Sequence, residues 1–284
     1  MNAIQHKLKT IKLIYLENNF KEFVSSIFNI LIIKRLKKII SFFIYYFSDR
    51  RGVFIKIVQI IYTKSVGNNL IECGNYLIDG SNLNKNSIIY SFGIGQDISF
   101  DCSIIENFEC NVFAYDPTPN SIEFIKNITL PKQIYFYPIG VWSEDGEVDF
   151  YFLEDKESKK IAHGSITNTW DVDSSQKIPI KVNKIKTMMN KNNHSEINLI
   201  KMDIEGSAPR AIKSMFKDGI YPDQIIVELE FPKLFTFKFL KEVSSLLATI
   251  LDNSYKIYSY PRKSLTVKEN IYINHSLELT IVKY

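Results

Sequence analysis

Apolar and polar residues alternate along the middle of the chain in short blocks that fit strands and helices in turn. Residues 88–92 form a β-branched and aromatic run that ends at two glycines, Gly93 and Gly95. A helical pattern follows, and a second apolar run then stops at Asp116. The order of strand, glycine turn, helix, strand and carboxylate predicts a nucleotide-binding βαβ unit over residues 87–116.

The alternation continues towards the end of the printed sequence and predicts a series of five parallel strands. Residues 74–80 have the pattern of a small lid or hairpin ahead of the first strand, and residues 270–284 predict an antiparallel terminal strand or hairpin. A turn at Asp145 and Gly146 with an alternating strand behind it predicts an antiparallel hairpin inserted into this sheet. The other predicted strands are 133–137, 177–185, 197–202 and 222–231, and the helices are 121–127, 186–192, one that opens through Ser207 and Pro209, and 235–253. The pattern therefore predicts an α/β fold with a doubly wound, mostly parallel sheet and an antiparallel terminal strand.

The N-terminal segment, residues 22–47, is apolar but interrupted by four basic residues, which are Lys34, Arg35, Lys37 and Lys38. Each charge near the centre of a membrane helix costs about 3 kcal/mol, so a transmembrane span is not expected. No cleavage site of a signal peptide follows the segment. We predict a helical N-terminal extension over residues 1–65, followed by a domain of residues 66–284. The interpretation we favour is that the extension packs on this domain or on a partner. The alternative is that it contacts anionic lipid at a membrane surface.

Composition excludes several classes of protein. The 284 residues include 35 Lys and Arg against 31 Asp and Glu, so a net charge of +4 gives no broad field for binding a polyanion. The three cysteines, Cys73, Cys102 and Cys110, form no CxxC pair, which argues against a disulfide framework or a zinc site. We therefore expect a protein of the reducing cytoplasm that binds no nucleic acid.

The glycine turn favours a ligand without phosphates. Gly93 and Gly95 let the backbone turn sharply and a ligand approach closely. The dinucleotide fingerprint requires a third glycine, but Ile98 and Ser99 stand in that neighbourhood. Asp116 follows about 20 residues downstream, where a carboxylate can accept two hydrogen bonds from a ribose diol. S-adenosylmethionine fits these requirements, whereas a bare turn that binds nothing remains the alternative.

Acidic residues cluster where a buried strand ends. The run 197–202 is followed by Asp203, Glu205 and Gly206 ahead of a helix, and such strand ends present ligand groups in a doubly wound sheet. Helix capping can explain one acid but hardly both, so we predict a site role. His163, in a polar loop, is a further candidate acid or base, although a solvated histidine without a role is the simpler reading.

The end of the third strand predicts the adenine side of the site. In a nucleotide site this strand end lies beside the base. The candidates there are Ile139, Gly140 and Trp142, with plain core packing as the alternative.

With these motifs in order, the chain resembles the FkbM-like family of S-adenosylmethionine-dependent methyltransferases. The resemblance rests on YSFGIGQDISFD, FAYDPTP, PIGVWSEDGEVDFY, GSI, LIKMDIEGSAPRAI and DQIIVELE, which together fall within residues 87–231. It implies the class I methyltransferase (Rossmann-like) fold, and it implies Asp203 and Glu205 at the mouth of the methyl-transfer site. We expect cofactor contacts from Phe92, Gly93, Gly95, Gln96, Asp97, Asp116, Pro117, Gly140 and Asp203. The chain departs from the family pattern at residues 207–209 and at Glu230, both on the substrate side.

The resemblance also implies a reaction. Methyl transfer is an SN2 attack on a sulfonium methyl, in which a base, with Asp203 first and Glu205 or His163 as alternatives, would take the proton of a hydroxyl acceptor. We expect O-methylation of a sugar or glycan, with no metal required, near the inner membrane face if residues 22–47 contact lipid. The alternatives are a non-catalytic binding protein of the same fold and an NAD-dependent sugar oxidoreductase.

Overall fold

A seven-stranded, mostly parallel sheet forms the centre of the structure, a computed structural model that describes residues 70–154, 161–167, 176–230, 237–259 and 276–284. The strands are β1 (Leu70–Cys73), β2 (Tyr76–Asp79), β3 (Ile88–Phe92), β4 (Asn111–Tyr115), β5 (Ile134–Tyr137), β6 (Gly140–Val141), β7 (Gly146–Glu154), β8 (Ile161–Ser165), β9 (Lys177–Asn183), β10 (Leu199–Met202), β11 (Gln224–Glu230), β12 (Tyr255–Ser259) and β13 (Ser276–Lys283). The helices are α1 (Ser99–Phe108), α2 (Pro119–Lys126), α3 (Ile185–Asn192), α4 (Ala208–Lys217) and α5 (Phe237–Asp252).

The strand order of the large sheet is β12-β13-β11-β10-β3-β4-β5. Only β13 runs against its neighbours β11 and β12, while the pairs from β11 through β10, β3 and β4 to β5 are all parallel. The chain steps from β3 to β4 on one side and returns to β10 on the other, and ligands bind at such a switch point. The doubly wound, mostly parallel sheet with an antiparallel terminal strand is confirmed, and that strand, β13, lies between β11 and β12.

The two faces of the sheet are covered differently. Helices α3, α4 and α5 pack on one face over an apolar core. Their fit is periodic: α4 buries Ala208, Ala211, Ile212, Met215 and Phe216, the spacing of an amphipathic helix. Helices α1 and α2 and the β1–β2 hairpin cover the other face, so the sheet has helices on both sides.

The hairpin side of the sheet carries polar residues among its apolar ones. Ser91, Lys201, Glu228, Glu278 and Thr280 are all buried in these strands. Hydrogen bonds attach the hairpin there: the Thr280 hydroxyl donates to the Leu77 carbonyl at 2.7 Å, and the Gln224 side chain bonds both backbone groups of Asp79. The predicted hairpin at residues 74–80 is therefore a cover fixed to the sheet.

A second, four-stranded sheet has the order β6-β9-β7-β8. We predicted that the strand after Gly146 would insert into the large sheet, and this was wrong. The chain leaves the large sheet after β5 because β6 pairs with β9, and β9 in turn pairs along β7. This sheet is stabilised by a small apolar core of its own, formed by Phe150, Ile180 and Val182.

The predicted helical extension of residues 1–65, with its apolar and basic segment at residues 22–47, lies outside the described residues. Among the helices that the structure does describe, none combines the length and the apolar character needed to cross a membrane. We did not predict β12, because the expected terminal strand or hairpin was placed at residues 270–284.

Candidate functional site

The carboxyl ends of β3, β4 and β10 meet at one edge of the large sheet. Phe92 of β3 pairs in register with Tyr115 of β4 and Met202 of β10, so the residues that follow these three strands come together. The Asp203 amide donates to the Phe92 carbonyl at 3.1 Å and the Gly93 amide donates to the Tyr115 carbonyl at 3.0 Å. The glycine turn and both predicted acidic positions therefore share one cleft.

A cavity opens in this cleft between the two sheets. Five of the predicted cofactor residues line it, namely Phe92, Gly93, Asp116, Pro117 and Asp203. Phe150 and Gly164 of the small sheet form the opposite wall. The enclosed part measures about 90 Å³, below the roughly 300 Å³ at the small end of ligand pockets, so a nucleoside would extend from it into the open cleft.

The two glycines of the turn have different reasons to be glycine. Gly93 has φ of +76°, and a Cβ there would lie 1.8 Å from the Asp203 carbonyl oxygen, so its hydrogen atom is required for β10 to approach β3. Gly95 has φ of +56°, but a Cβ there would meet no atom within 4 Å. Gly93 is therefore a packing requirement, and Gly95 leaves open space beside the turn.

Asp116 is buried and organises the loops around it. Its Oδ2 accepts from the Gly95 amide at 2.9 Å, and its Oδ1 accepts from the amide and the hydroxyl of Thr118 at 2.9 and 2.6 Å. Thr118 also caps α2. Because a carboxylate offers about four acceptor positions, one remains on Oδ2. Asp116 can thus accept one ribose hydroxyl without a change in these bonds, where we expected two.

Other predicted cofactor residues lie around the cavity without lining it. Gly95, Gln96 and Asp97 are exposed. Asp97 Oδ1 accepts from the Ser99 amide at 2.8 Å, which satisfies the first turn of α1. Gly140 packs beside Val182 and Pro117, and its neighbour in the chain lines the cavity instead.

The adenine-side candidates do not face the cavity either. The Trp142 ring packs against the small core and lies 5.4 Å from the Arg210 guanidinium. Ile139 packs against the large apolar core. Both side chains therefore pack in apolar cores, which was the alternative to a place beside the adenine.

Asp203 and Glu205 both line the cavity, as their spacing predicts. Asp203 Oδ2 accepts a hydrogen bond from the Tyr76 hydroxyl at 2.9 Å and lies 4.0 Å from Lys201 Nζ. Lys201, buried in β10, donates to the Gly93 carbonyl at 2.7 Å. The Glu205 carbonyl accepts from the Ser165 hydroxyl, which ties this loop to the small sheet.

Glu230, at the end of β11, stands beside this pair. It is 4% exposed, and its Oε2 accepts from the Gly206 amide at 2.6 Å. Burial, together with the nearby carboxylates of Glu205, Asp203 and Glu228, raises the pKa of Glu230 well above its usual value. From the sequence, we placed Glu230 on the substrate side as a departure from the family pattern and gave it no role at the site.

His163 lies on β8, in register with Leu153 of β7, but its side chain is outside the described residues. Its proposed role as acid or base therefore stays a prediction. Two residues that sequence reasoning missed are Tyr76 and Lys201. The lone lysine inside the apolar run LIKM was a usable signal, because an unpaired charge is rarely buried. Nothing in the sequence around Tyr76 pointed to the cleft.

Charge decides what this cavity can hold. Asp116, Asp203 and Glu205 line it, and no Lys, Arg or His side chain does so among the residues that the structure describes. A pyrophosphate would lie against three carboxylates with no cationic side chain in the described part of the cavity wall, whereas a cationic ligand would be stabilised there. A sulfonium cofactor with a ribose therefore fits the site, and a phosphate-bearing dinucleotide does not.

Comparison with known proteins gives the following matches. A family model described as the methyltransferase FkbM domain matches residues 75–257. A comparison with curated proteins finds no match. Among solved structures, precorrin-6y C5,15-methyltransferase from Geobacter metallireducens is 10% identical, with a TM-score of 0.38 over 71% of this chain and 84% of that one. TYW2 from M. jannaschii, in complex with AdoMet, is 11% identical, with a TM-score of 0.35 over 78% of this chain and 86% of that one.

Proposed function

The chain belongs to the FkbM family of S-adenosylmethionine-dependent methyltransferases, and we propose that it transfers the methyl group to a hydroxyl of a sugar or glycan. The family match spans residues 75–257, which include the glycine turn, Asp116 and both acids after β10. The acceptor class is suggested by the family resemblance, and the chemistry of the cleft is compatible with it.

One observation carries the proposal: the cavity at the switch point is lined by three carboxylates and, within the described part of the chain, by no cationic side chain. This charge pattern stabilises a positively charged sulfonium and opposes the phosphates of NAD. It therefore favours the methyltransferase over the NAD-dependent oxidoreductase.

S-adenosylmethionine, when bound, supplies a methyl group on a positively charged sulfur that an oxygen nucleophile can attack. The protein has to position the reactants and exclude water. Asp116 would accept a ribose hydroxyl through the remaining acceptor position on Oδ2. Gly95 has no Cβ, so the space beside the turn stays open.

Asp203 is the first candidate for the base that removes the acceptor proton. Its carboxylate lines the cavity, and the hydrogen bond from Tyr76 holds Oδ2 in place while the other oxygen can face an acceptor. Glu205 is the second candidate, since it lines the same cavity. Carboxylates at a cleft mouth also suit a glycan, because they accept hydrogen bonds from adjacent hydroxyls.

The cofactor site can be tested by calorimetric titration of the full chain with S-adenosylhomocysteine and, separately, NAD. We expect wild type to bind the first ligand and not the second. Asp116→Asn should weaken binding by about 10-fold or more, because a hydrogen bond to a charged group contributes about 1.5–3 kcal/mol.

Asp145→Asn is the matched control for this titration. Asp145 also accepts from a backbone amide, that of Lys184, and from a hydroxyl, that of Thr187, both at 2.7 Å, but it lies outside the cavity. The Asp145→Asn variant should bind S-adenosylhomocysteine with the affinity of wild type. Equal loss in both variants, or tight NAD binding by wild type, would refute the assignment of the cofactor site.

Turnover separates an enzyme from a non-catalytic domain of the same fold. With methyl-labelled S-adenosylmethionine and a panel of glycans, Asp203→Asn should lose label transfer and keep S-adenosylhomocysteine binding. If wild type binds the cofactor but labels no hydroxyl compound, the protein is a binding domain.

We also propose that the protein is located in the cytoplasm, at the inner membrane face, and contacts lipid through residues 22–47. Sedimentation of the full chain with lipid vesicles would test the lipid contact.

A further inference from the structure

Three carboxylates converge beyond the glycine turn, and we call them the acidic triad: Asp203, Glu205 and Glu230. One oxygen of each lies within 4.8 Å of the others. They come from two adjacent structural units, the loop after β10 and the end of β11, so their convergence depends on the parallel pairing of these strands. Glu230 does not line the cavity, whereas Asp203 and Glu205 do.

One oxygen of the triad has no partner. Glu230 is 4% exposed, and while Oε2 accepts from the Gly206 amide, Oε1 is buried without any hydrogen bond among the described residues. A buried carboxylate oxygen left in this state is unfavourable, because it has lost its water and gained nothing in return. Such an oxygen requires either a proton or a cation.

Lys201 is a basic residue of the described chain that lies near the triad. Lys201 Nζ lies 4.0 Å from Asp203 Oδ2, but it donates at 2.7 Å to the Gly93 carbonyl, which fixes it on the side of the turn. Asp203 also receives the Tyr76 hydroxyl, which is neutral. Lys201 therefore offsets part of the charge of Asp203 but does not bond the buried Oε1 of Glu230.

We propose that the acidic triad binds one divalent cation of the hard, oxygen-preferring class, such as Mg²⁺ or Mn²⁺. Carboxylate oxygens are the ligands that these ions prefer, and neither thiol nor imidazole is part of the triad. Three protein oxygens leave about three of six positions for water or substrate. The site is therefore open on the side of the cavity, where Asp203 and Glu205 are partly exposed. This differs from the sequence analysis, which expected no metal.

The position of the ion gives it a role that rests on the proposed function. An ion at the mouth of the cleft could hold two adjacent hydroxyls of an acceptor and favour the deprotonated form of one. The acceptor would then be a vicinal diol, Asp203 would act as a ligand of the ion, and the proton of the reacting hydroxyl would pass to solvent water on the open side of the site. Binding of the ion itself does not depend on this role.

The test is Mn²⁺ binding to the full chain after dialysis against EDTA, measured by electron paramagnetic resonance of free Mn²⁺ and by calorimetry. We expect one site per chain in wild type. Glu230→Gln should bind at least 10-fold more weakly, since glutamine can still accept from the Gly206 amide but supplies no negative charge. Glu228→Gln, two residues earlier on the same face of β11 and outside the triad, should weaken binding by less than about threefold.

Thermal unfolding gives a second readout. Mn²⁺ should raise the melting temperature of wild type and Glu228→Gln but not of Glu230→Gln. If Glu230→Gln fails to fold, Glu205→Gln takes its place in both measurements. Equal Mn²⁺ binding in wild type and in the triad variants would overturn the proposal. It would also be overturned if Glu230→Gln were more stable than wild type and Mn²⁺ changed the melting temperature of neither protein. That result would show that Glu230 carries a proton in the wild type.

Titration of the same samples with S-adenosylhomocysteine separates the two proposals. Mn²⁺ binding without S-adenosylhomocysteine binding would support the cation site and refute the cofactor site. S-adenosylhomocysteine binding without Mn²⁺ binding would do the reverse.

Discussion

Gly93 and Gly95 should respond very differently to the same substitution, alanine, although both have a positive φ. For Gly95→Ala the only cost is the left-handed backbone, about 1 kcal/mol, because the added Cβ meets no atom within 4 Å. For Gly93→Ala the same cost is joined by an overlap, since the Cβ would lie 1.8 Å from the Asp203 carbonyl oxygen.

The overlap at Gly93 cannot be relieved by a side-chain rotation, because the opposing atom is backbone. The end of β10 would have to move away from β3 by more than 1 Å, judged against the 3.0 Å that real Cβ contacts respect. Overpacking of this kind costs about 1–3 kcal/mol or more. We therefore expect a total loss of about 3 kcal/mol or more for Gly93→Ala, against about 1 kcal/mol for Gly95→Ala.

Urea unfolding of the two variants beside wild type measures this difference directly. Gly95→Ala should fold and lose affinity for S-adenosylhomocysteine, because its methyl group enters the space left for the ligand. Gly93→Ala should be clearly less stable, or fail to fold. If both variants lose the same free energy of unfolding, the close approach of β3 and β10 is not what requires Gly93.

Further predictions concern buried polar groups. Burial raises the pKa of Asp101 from 3.8 to about 6, so the folded state favours its protonated form and stability falls as pH rises from about 4 to 6, by about 3 kcal/mol in total. Asp101→Asn should therefore be more stable than wild type at pH 7, and its free energy of unfolding should fall less between pH 4 and pH 6. Urea denaturation of both proteins at these pH values measures the difference. An equal fall in both proteins would contradict the raised pKa of Asp101. Tyr76→Phe removes the hydrogen bond to Asp203 and should lower the free energy of unfolding by about 1–2 kcal/mol, measured by urea titration. No change there would mean that the bond contributes nothing to folding.

Much of the fold could be predicted because the parallel strands are buried on both sides and bounded by sharp signals. The run at 88–92 was placed within its true limits, and the strand that ends before Asp116 was placed by its apolar residues. Partners were harder, because pairing depends on residues far apart in sequence. The strand from Gly146 alternates as a sheet strand should, but nothing local shows that β9 is its neighbour and β5 is not.

The site was predictable where one strand end carries its own chemistry. Asp116 and Asp203 follow directly on apolar runs, Glu205 comes two residues after Asp203, and the parallel register brings all three into one cleft. Glu230 was placed on the substrate side but was not grouped with the two acids after β10, because that grouping depends on a contact with Gly206, 24 residues earlier. Tyr76 and Asp203 are separated by 127 residues in the sequence, and a local pattern of apolar and polar residues cannot predict a contact over that separation.

The internal position of β13 has a consequence for how the protein is made. Residues 276–283 form hydrogen bonds with β11 on one side and β12 on the other. During synthesis the parallel strands β3, β4, β10 and β11 leave the ribosome first, with β11 still an open edge. At about 5–20 residues per second, that edge stays unpaired for several seconds until β13 emerges, and in this interval it can pair with another nascent chain. The slow step is therefore expected at the docking of β13, where chaperone occupancy should be highest.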